Sequence, residues 1–308
     1  RGLGDVYKRQ GQTLSEITSK AMMELESIIK RINPDMVLVH GDTATTFSGS
    51  LAAFYNQVPI GHVEAGLRSF DKYSPYPEEM NRQMVGVLSD IHFAPTSNAK
   101  KHLLDEGKKE TTVVVTGNTA IDALNYTVND DYQSEILEKH KNKKILLLTA
   151  HRRENLGEPM ENIFKAVRKL VEEDKALVVV YPVHMNPKVR NIAQEILGNH
   201  ERIELIEPLD VLDFHNFAKQ AYIILTDSGG IQEEGPSLHK PVLVLRDNTE
   251  RPEGVDAGTL KVVGTSLDNV YKETKQLLED QQAYQCMCNA KNPYGDGKSS
   301  ERIVNHIK

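Results

Sequence analysis

Short runs of consecutive apolar residues recur along this chain, and segments with helical spacing separate them. In the first part of the chain these runs are MVLVH (36–40), VPIGHVE (58–64), IHFAP (91–95) and TTVVVTG (111–117). Strands buried on both faces read as continuous apolar runs, which is typical of parallel sheets covered by helices. The pattern therefore predicts a βα series that builds a parallel sheet.

A second series of the same kind begins after an interruption. Its runs are KILLLTA (144–150), ALVVVYP (176–182), RIELIEP (202–208), YIILTD (222–227) and PVLVLR (241–246). The segment between the two series, 119–143, becomes polar and rich in lysine, and we interpret it as a hinge. With 308 residues and 39% hydrophobic content the chain can bury two cores. The prediction is an α/β protein with two Rossmann-like halves and a cleft between them.

Helical spacing of apolar residues predicts the helices that join these strands. They cover 46–56, 79–88, 98–106, 158–173, 187–197 and 212–220. An earlier helix opens with a capping box formed by Thr13 and Glu16. Residues 1–10 show neither helical nor strand periodicity, and a right-handed parallel sheet would have a strand before this first helix. We therefore expect the natural start to be missing and residues 1–10 to be foreign.

Charge and cysteine content exclude several classes of protein. The formal net charge of -7 disfavours general attraction to nucleic acid or to an anionic membrane. Cys286 and Cys288 are too few for a disulfide framework or a closed zinc site, so we expect reduced thiols in a cytoplasmic protein. No apolar run approaches the ~20 residues of a membrane span, and no signal-peptide pattern opens the chain.

Three carboxylates follow the strands of the first series. Asp42 and Glu64 come directly after two strands, and Glu78 lies before the next helix. Carboxyl ends of parallel strands share one edge of a sheet, so these groups are expected to converge as proton donors and acceptors. A metal site that includes His62 is the main alternative, although the spacing matches no compact metal motif. For any single acid, an N-cap or ion-pair role is the other alternative, and Glu79 fits it.

Two motifs follow strands of the second series. DSGGIQEEG (227–235) offers small residues at a strand-to-helix turn, where backbone N–H groups and the helix dipole favour a phosphate, and Glu234 could accept hydrogen bonds from a ribose diol. TAHRREN (149–155) places His151 beside two guanidinium groups suited to phosphate or carboxylate. The alternatives are a tight turn without a ligand and a solvated charge cluster.

Nine motifs together carry a resemblance to a known family. They are HGDTATT, HVEAGLRS, PEEMNR, VTGNTAID, TAHRREN, YPVHMNP, PLDVLDFHNF, DSGGIQEEGPSLHKPVLVLRDNTERPEG and NPYGDG. From Gly11 to its end the chain resembles the non-hydrolysing UDP-N-acetylglucosamine 2-epimerases of bacteria, whereas hydrolysing relatives differ around HVEAGLR and HRRE.

The resemblance implies a GT-B or glycogen phosphorylase-like fold, in which two Rossmann-like domains enclose the active site in an interdomain cleft. The implied divisions are an incomplete N-terminal domain (1–118), a connector (119–143), a UDP-binding domain (144–290) and a segment that returns to the first domain (291–308).

The resemblance also implies the chemistry. Direct inversion at carbon 2 is implausible because the hydrogen there has negligible acidity. A base therefore removes this hydrogen while UDP leaves carbon 1, which gives 2-acetamidoglucal, and re-addition delivers a proton to the other face. No cofactor and no metal are implied, and neither nucleic acid nor a membrane is an implied partner.

Site residues are implied by the motifs that carry the resemblance. Asp42, Glu64, Glu78 and His151 match the catalytic residues, with the base left unassigned among the carboxylates. The nucleotide-side residues that it implies are Phe214, Ser228, Gly229, Gly230, Glu234 and Arg251. A second UDP-N-acetylglucosamine molecule is implied as an allosteric activator at Arg152 and His184, with Glu78 at the border of that site. Members of the family usually form homodimers.

The chain departs from the family at its beginning, where a strand and an arginine-containing loop are expected. By comparison with a complete N-terminal βα series, we expect about 60 residues to be absent. Two other functions also stay open. One is a UDP-sugar glycosyltransferase of the same fold, and the other is an inactive fragment that binds nucleotide sugars. Retention of the three carboxylates and of His151 favours catalysis over both.

Overall fold

The chain folds into two units, each built around one parallel sheet. A computed structural model describes residues 12–308, apart from the side chain of Arg153, so the segment predicted to be foreign lies outside the described residues. The first unit extends to Thr119 and includes Lys298–Lys308, and the second covers Ala120–Gly297. The predicted α/β architecture with two parallel sheets is confirmed.

The sheet of the first unit contains four parallel strands in the order β1-β2-β3-β4. The strands are β1 (Val37–His40), β2 (Ile60–Val63), β3 (Ile91–Ala94) and β4 (Val113–Val115). The helices that join them are α1 (Leu14–Ile32), α2 (Ala44–Tyr55), α3 (Glu78–Leu88) and α4 (Ser97–Asp105). Each strand is shorter than its apolar run, because residues at one or both ends of the run lie outside the strand.

Local sequence signals fix the ends of these helices. The predicted capping box of α1 is confirmed: the backbone N–H of Thr13 donates to the Glu16 carboxylate at 2.7 Å, and the Glu16 N–H donates to the Thr13 hydroxyl at 3.2 Å. Thr43 and Thr96 cap α2 and α4 in the same manner with their side-chain oxygens. Apolar side chains of α1, α2 and α3 then pack with Val39 and Ile60 of the sheet.

The sheet of the second unit has six parallel strands in the order β10-β9-β8-β5-β6-β7. These strands are β5 (Lys144–Thr149), β6 (Leu177–Pro182), β7 (Ile203–Ile206), β8 (Ile223–Thr226), β9 (Val242–Val244) and β10 (Leu260–Val262). The helices are α5 (Thr119–Thr127), α6 (Glu135–Lys139), α7 (Glu158–Glu173), α8 (Pro187–Leu197), α9 (Val211–Gln220), α10 (Ile231–Ser237), α11 (Pro252–Asp256), α12 (Leu267–Glu279) and α13 (Gln281–Asn289). The apolar-run pattern does not predict β10, because exposed Lys261 interrupts this three-residue edge strand.

The segment interpreted as a hinge contains α5 and α6. Leu124 of α5 and Leu137 of α6 are buried in the core of the second unit, against its sheet. The last helix, α14 (Ser299–Ile307), belongs to the first unit, where the Arg302 guanidinium donates to the carbonyl of Thr116 at 3.0 Å. A hinge motion in 119–143 stays a prediction.

No helix among residues 12–308 combines the length and the hydrophobicity of a membrane span.

Candidate active site

Asp42, Glu64 and Glu78 converge within the first unit. Asp42 follows β1, Glu64 follows β2 and Glu78 opens α3. Burial raises the pKa of the Asp42 carboxyl, and repulsion from Glu64 and Glu78 raises it further, against the opposing attraction of Arg82. The structure therefore places the three predicted carboxylates close enough for their charges to interact, at the carboxyl edge of the sheet.

An unusual backbone conformation aims Glu64 toward the end of β1. Its φ of 64° lies in the left-handed region, which is uncommon for residues other than glycine and recurs at functional sites. Its carboxylate accepts a hydrogen bond from the Asn118 amide at 3.1 Å and lies 3.4 Å from the imidazole of His40. Opposite it, Gly41 has a φ of 70°, and a Cβ there would lie 3.2 Å from the Glu64 carboxylate. Both turns are thus shaped around this carboxylate.

Arg82 is a component of this site that the motifs did not single out. Its Nε and Nη2 donate to the same oxygen of Asp42 at 2.9 and 2.8 Å, and its Nη1 lies 3.1 Å from Glu79. A charge-assisted pair of this geometry holds the Asp42 carboxylate in one orientation. The sequence spacing could have indicated Arg82, since it follows Glu78 by four residues and therefore shares its helix face.

Glu79 differs from its neighbour Glu78 in burial and in role. It is fully buried, and its carboxylate accepts hydrogen bonds from the backbone N–H groups of Ser69 and Phe70 and from the Gln83 amide. Burial opposes ionisation, but these hydrogen bonds and Arg82 outweigh it and lower the pKa of Glu79. Glu79 therefore anchors the loop before α3, as in the ion-pair alternative, whereas Glu78 stays partly exposed.

The second unit contains a cavity of about 400 Å³. Its walls include His151 after β5, His184 after β6, Phe214 and His215 on α9, and Glu234 on α10. Four of these are predicted site residues that lie far apart in the sequence. Cavities of this size that combine apolar walls with a few polar groups are typical of small-molecule sites.

The carboxylate of Asp227 organises the turn that carries His151. One of its oxygens, Oδ2, accepts hydrogen bonds from the backbone N–H groups of His151 and Arg152 at 2.8 and 2.9 Å, and from the Asn155 amide at 3.0 Å. The other, Oδ1, lies 3.4 Å from the Nδ1 atom of His151. Asp227 is the last residue of an apolar run, and its role depends on contacts more than 70 positions away.

The two predicted allosteric residues lie directly beside this turn. The His184 ring stacks on that of His151 with centroids 5.4 Å apart. Burial lowers the pKa of His184, the charge of a protonated His151 would lower it further, and Asp227 opposes the shift. The Arg152 side chain donates from Nε to the carbonyl of Asp227 at 2.8 Å. Catalytic and allosteric predictions thus meet at one cluster.

The glycine turn before α10 lies against a buried ion-pair network. A Cβ on Gly229 would lie 2.7 Å from the Arg251 guanidinium and 3.0 Å from Glu250, so only glycine fits without a shift. Arg251 is 8% exposed and pairs with Glu233 and Glu250, each at 2.6 Å. Although burial opposes ionisation, Arg251, Arg246 and Arg152 lower the pKa of Glu250 to about 2. Arg251 therefore packs against the turn at Gly229. Its contact with the nucleotide stays a prediction.

His215 is a further cavity residue that the motifs did not single out. Its Nδ1 lies 2.7 Å from the hydroxyl of Thr127, and its Nε2 lies 3.5 Å from the Glu234 carboxylate. This contact orients the predicted ribose-binding group. Ser228 is half-buried and Gly230 is exposed at the start of α10, and a Cβ on Gly230 would lie 3.6 Å from the Glu234 carboxylate.

Metal ligation was the alternative for the carboxylates and His62. Within the described part of the chain no group of three or more His, Cys, Asp and Glu side chains is arranged to hold a metal ion. His62 is buried, and its Nε2 lies 2.8 Å from the carbonyl of Gly41. Cys286 and Cys288 are free thiols.

Comparisons with known proteins identify the family of this chain. The model of the family described as UDP-N-acetylglucosamine 2-epimerase matches residues 5–308. The UDP-N-acetylglucosamine 2-epimerase of Bacillus subtilis (strain 168) is 61% identical over 97% of this chain and 79% of the relative.

Two solved structures show the same fold. The S. aureus MnaA-UDP co-structure is 69% identical with a TM-score of 0.94, over 98% of this chain and 82% of the other. UDP-GlcNAc 2-epimerase from Neisseria meningitidis bound to UDP-GlcNAc is 46% identical with a TM-score of 0.89, over 97% and 83%. From the family model, the sequence identities and the shared two-sheet α/β fold, the chain belongs to the UDP-N-acetylglucosamine 2-epimerase family.

Proposed function

We propose that this protein interconverts UDP-N-acetylglucosamine and UDP-N-acetylmannosamine by elimination and re-addition of UDP. The observation that carries this proposal is the convergence of Asp42, Glu64 and Glu78 at one sheet edge. Inversion of a carbon that bears a hydrogen of negligible acidity needs a base, an acid and a leaving group, and neighbouring carboxylates can supply the first two. The product serves synthesis of cell-envelope polysaccharides.

The elimination step needs neither an oxidant nor a reductant. A carboxylate removes the hydrogen at carbon 2 as a proton, the electron pair of that bond forms the carbon 1–carbon 2 double bond, and the bond from carbon 1 to the phosphate oxygen breaks. The products are UDP and 2-acetamidoglucal. In the reverse direction UDP adds to carbon 1, and a proton reaches carbon 2 from the other face, so one face or the other gives each epimer.

The carboxylates of the first unit are suited to this proton transfer. Burial and the other two carboxylates raise the pKa of Asp42 and so favour its holding a proton, whereas Arg82 favours its ionised form. A carboxyl group that is subject to such opposing effects can both accept and release a proton. We assign proton transfer to Asp42, Glu64 and Glu78 as a set, with Arg82 orienting Asp42.

The cavity of the second unit is assigned to UDP. Phe214 offers an aromatic face for uracil, and Glu234, oriented by His215, offers acceptors for the ribose hydroxyls. Gly229 and Gly230 supply backbone N–H groups for the diphosphate, since the N–H of Ser228 donates to Thr226, and Arg251 packs against Gly229. His151 lines the same cavity and presents a ring nitrogen to the bound sugar nucleotide.

Three further properties are proposed on the family's pattern. A second UDP-N-acetylglucosamine binds as an activator at Arg152 and His184, which is supported by their contacts with the His151 turn. The protein is cytoplasmic, consistent with its free thiols. It forms a homodimer, and the exposed apolar side chains of the first unit include Phe54, Tyr55 and Val87.

Product analysis tests the proposed function. Incubation with UDP-N-acetylglucosamine followed by anion-exchange chromatography is expected to yield UDP-N-acetylmannosamine and a stable mixture of the two sugar nucleotides. Incubation with purified UDP-N-acetylmannosamine is expected to reach the same mixture. Release of free N-acetylmannosamine would contradict the non-hydrolysing reaction, and recovery of unchanged substrate while UDP binds would contradict catalysis.

A further inference from the structure

Asp227 is a fully buried carboxylate at the end of β8. A buried carboxylate is stable only when hydrogen bonds or opposite charges replace its hydration. Within the described part of the chain its one ion-pair partner is a histidine, His151.

The two oxygens of Asp227 have different surroundings. Oδ2 accepts three hydrogen bonds, two of them from the backbone of His151 and Arg152. Oδ1 has no hydrogen-bond partner among residues 12–308, and the Nδ1 atom of His151 lies 3.4 Å away. That separation exceeds an ordinary hydrogen bond only slightly. The His151 side chain is 41% exposed, so its ring has room to shift within its own plane and close the gap.

We propose that Asp227 is a positioning residue for His151: its Oδ1 accepts a hydrogen bond from Nδ1–H and leaves Nε2 as the nitrogen that faces bound ligand. The two ring nitrogens are distinct, and the partner of one sets the protonation of the other. Nδ1 is directed at a buried carboxylate, so Nε2 is the ring nitrogen left available to the cavity that His151 lines. The identity of the ligand rests on the proposed function, whereas the ring geometry does not.

His184 completes this arrangement. Its own Nδ1 accepts a hydrogen bond from the backbone N–H of Asn186 at 3.1 Å and is therefore unprotonated. The two stacked rings are inclined by 11°, and this contact fixes the plane of the His151 ring. A flip of His151 would preserve the stack but place Cδ2 against Asp227 Oδ1. The stack thus sets the plane, and Asp227 selects between the two orientations within it.

The tautomer of His151 can be measured directly in the unmodified protein. Protein labelled with ¹⁵N in its 11 histidines is studied by long-range proton–nitrogen NMR, at a pH above the ordinary histidine pKa of about 6.5. His151 is assigned by the loss of its signals in His151→Gln. We expect a proton on Nδ1 and a free Nε2. A proton on Nε2 instead would overturn the proposal, and this readout needs neither substrate nor turnover.

Asp227→Asn tests the cause of that tautomer. The amide oxygen can still accept the backbone hydrogen bonds, but the amide nitrogen would donate to Nδ1 of His151 and move the ring proton to Nε2. We expect this reversal together with a decrease in kcat of about 100-fold or more, the size of a general acid–base contribution. An unchanged tautomer in Asp227→Asn would contradict the positioning role.

Asn155→Ala is the matched control. It removes another hydrogen bond to the same carboxylate, at Oδ2, without changing the group that faces the imidazole. We expect lower stability and the wild-type tautomer, and a switched tautomer in this variant would overturn the assignment to Oδ1. If Asp227→Asn fails to fold, the wild-type tautomer still decides the proposal. A wild-type Nδ1–H tautomer without epimerisation would refute the proposed function alone, and epimerisation with the other tautomer would refute the positioning role alone.

Discussion

The imidazole rings of His151 and His184 lie parallel, with centroids 5.4 Å apart and an angle of 11° between their planes. The two residues follow different strands, β5 and β6, and line one cavity. A predicted catalytic residue and a predicted allosteric residue are therefore in direct contact. An activator bound at the predicted allosteric residues would act on His151 through this stack and through the contact of Arg152 with Asp227.

Replacement of His184 tests the stack. His184→Ala removes the ring, and an aromatic pair contributes about 0.5–1.5 kcal/mol, so kcat is expected to decrease by about two- to tenfold. His184→Phe keeps a ring in the same place, so its kcat is expected to stay close to that of the wild type. Steady-state kinetics over a wide range of substrate concentration measures both. Equal decreases in the two variants would show that the stack is not what matters.

The adjacent pair Glu78 and Glu79 provides a matched test of the carboxylate site. Glu78→Gln is expected to reduce kcat by about 10²–10⁴-fold with little change in thermal stability, because it removes a proton-transfer group that is only partly buried. Glu79→Gln is expected to lower the free energy of unfolding by about 1–3 kcal/mol, because four donors surround this buried carboxylate.

Thermal unfolding and initial rates, measured on both variants, separate the two roles. The two assignments would be wrong if Glu79→Gln lost turnover but kept its stability while Glu78→Gln lost stability but kept its turnover.

Acid is expected to destabilise the first unit. His62 and His92 occupy paired positions on β2 and β3, and burial lowers the pKa of each to about 4. The unfolded chain binds these protons near its ordinary pKa of 6.5, so stability is complete above that pH and is lost as the pH falls from 6.5 toward 4. Each of these pKa shifts corresponds to about 3 kcal/mol in the free energy of unfolding.

Hydrogen exchange of the β2 and β3 amides at a pH of about 7 and of about 5 measures this loss within the unit. His92→Gln, which cannot be protonated in this range, is expected to show a weaker dependence on pH. An equal dependence in this variant would assign the loss to other groups.

The two glycines before α10 are expected to respond differently to alanine. Gly229→Ala places a methyl group 2.7 Å from Arg251 and 3.0 Å from Glu250, and overpacking of this kind costs about 1–3 kcal/mol. Gly230 has a helical φ of -61°, and its Cβ would meet Glu234 only at 3.6 Å, an ordinary contact. We therefore expect a lower Tm and weaker UDP binding in Gly229→Ala, and an unchanged or higher Tm in Gly230→Ala. Calorimetric scans with and without UDP measure both quantities. A stable Gly229→Ala would mean that the network beneath the turn adapts.

The sequence predicted the sheets because buried parallel strands read as unbroken apolar runs. Ile145, Leu146, Leu147 and Leu148 are all at most 5% exposed, so both faces of β5 are covered. The same signal fails for β10, where exposed Lys261 alternates with apolar neighbours. It also cannot show where α5 and α6 pack, since that depends on a core formed by distant strands.

Within the site, the sequence indicated positions better than partners. Strand ends located Asp42, Glu64 and His151, because ligand-binding edges follow from topology. Asp227 and His215 were missed as site residues because each acts through a long-range contact that no local spacing specifies. Arg82 was also missed, although its position four residues after Glu78 places both on one face of α3. The contrast between Glu78 and Glu79 likewise depends on which side chain α3 turns inward.

The most direct test of the account is proton NMR of UDP-N-acetylglucosamine incubated with the protein in deuterated water. Elimination through 2-acetamidoglucal predicts that the carbon 2 proton signal disappears as deuterium enters, that both epimers carry the label, and that Asp42→Asn abolishes the exchange. Formation of UDP-N-acetylmannosamine with its carbon 2 proton fully retained would contradict the assignment of solvent-exchanging carboxylates. The absence of both exchange and epimer, with UDP bound, would contradict the proposed reaction itself.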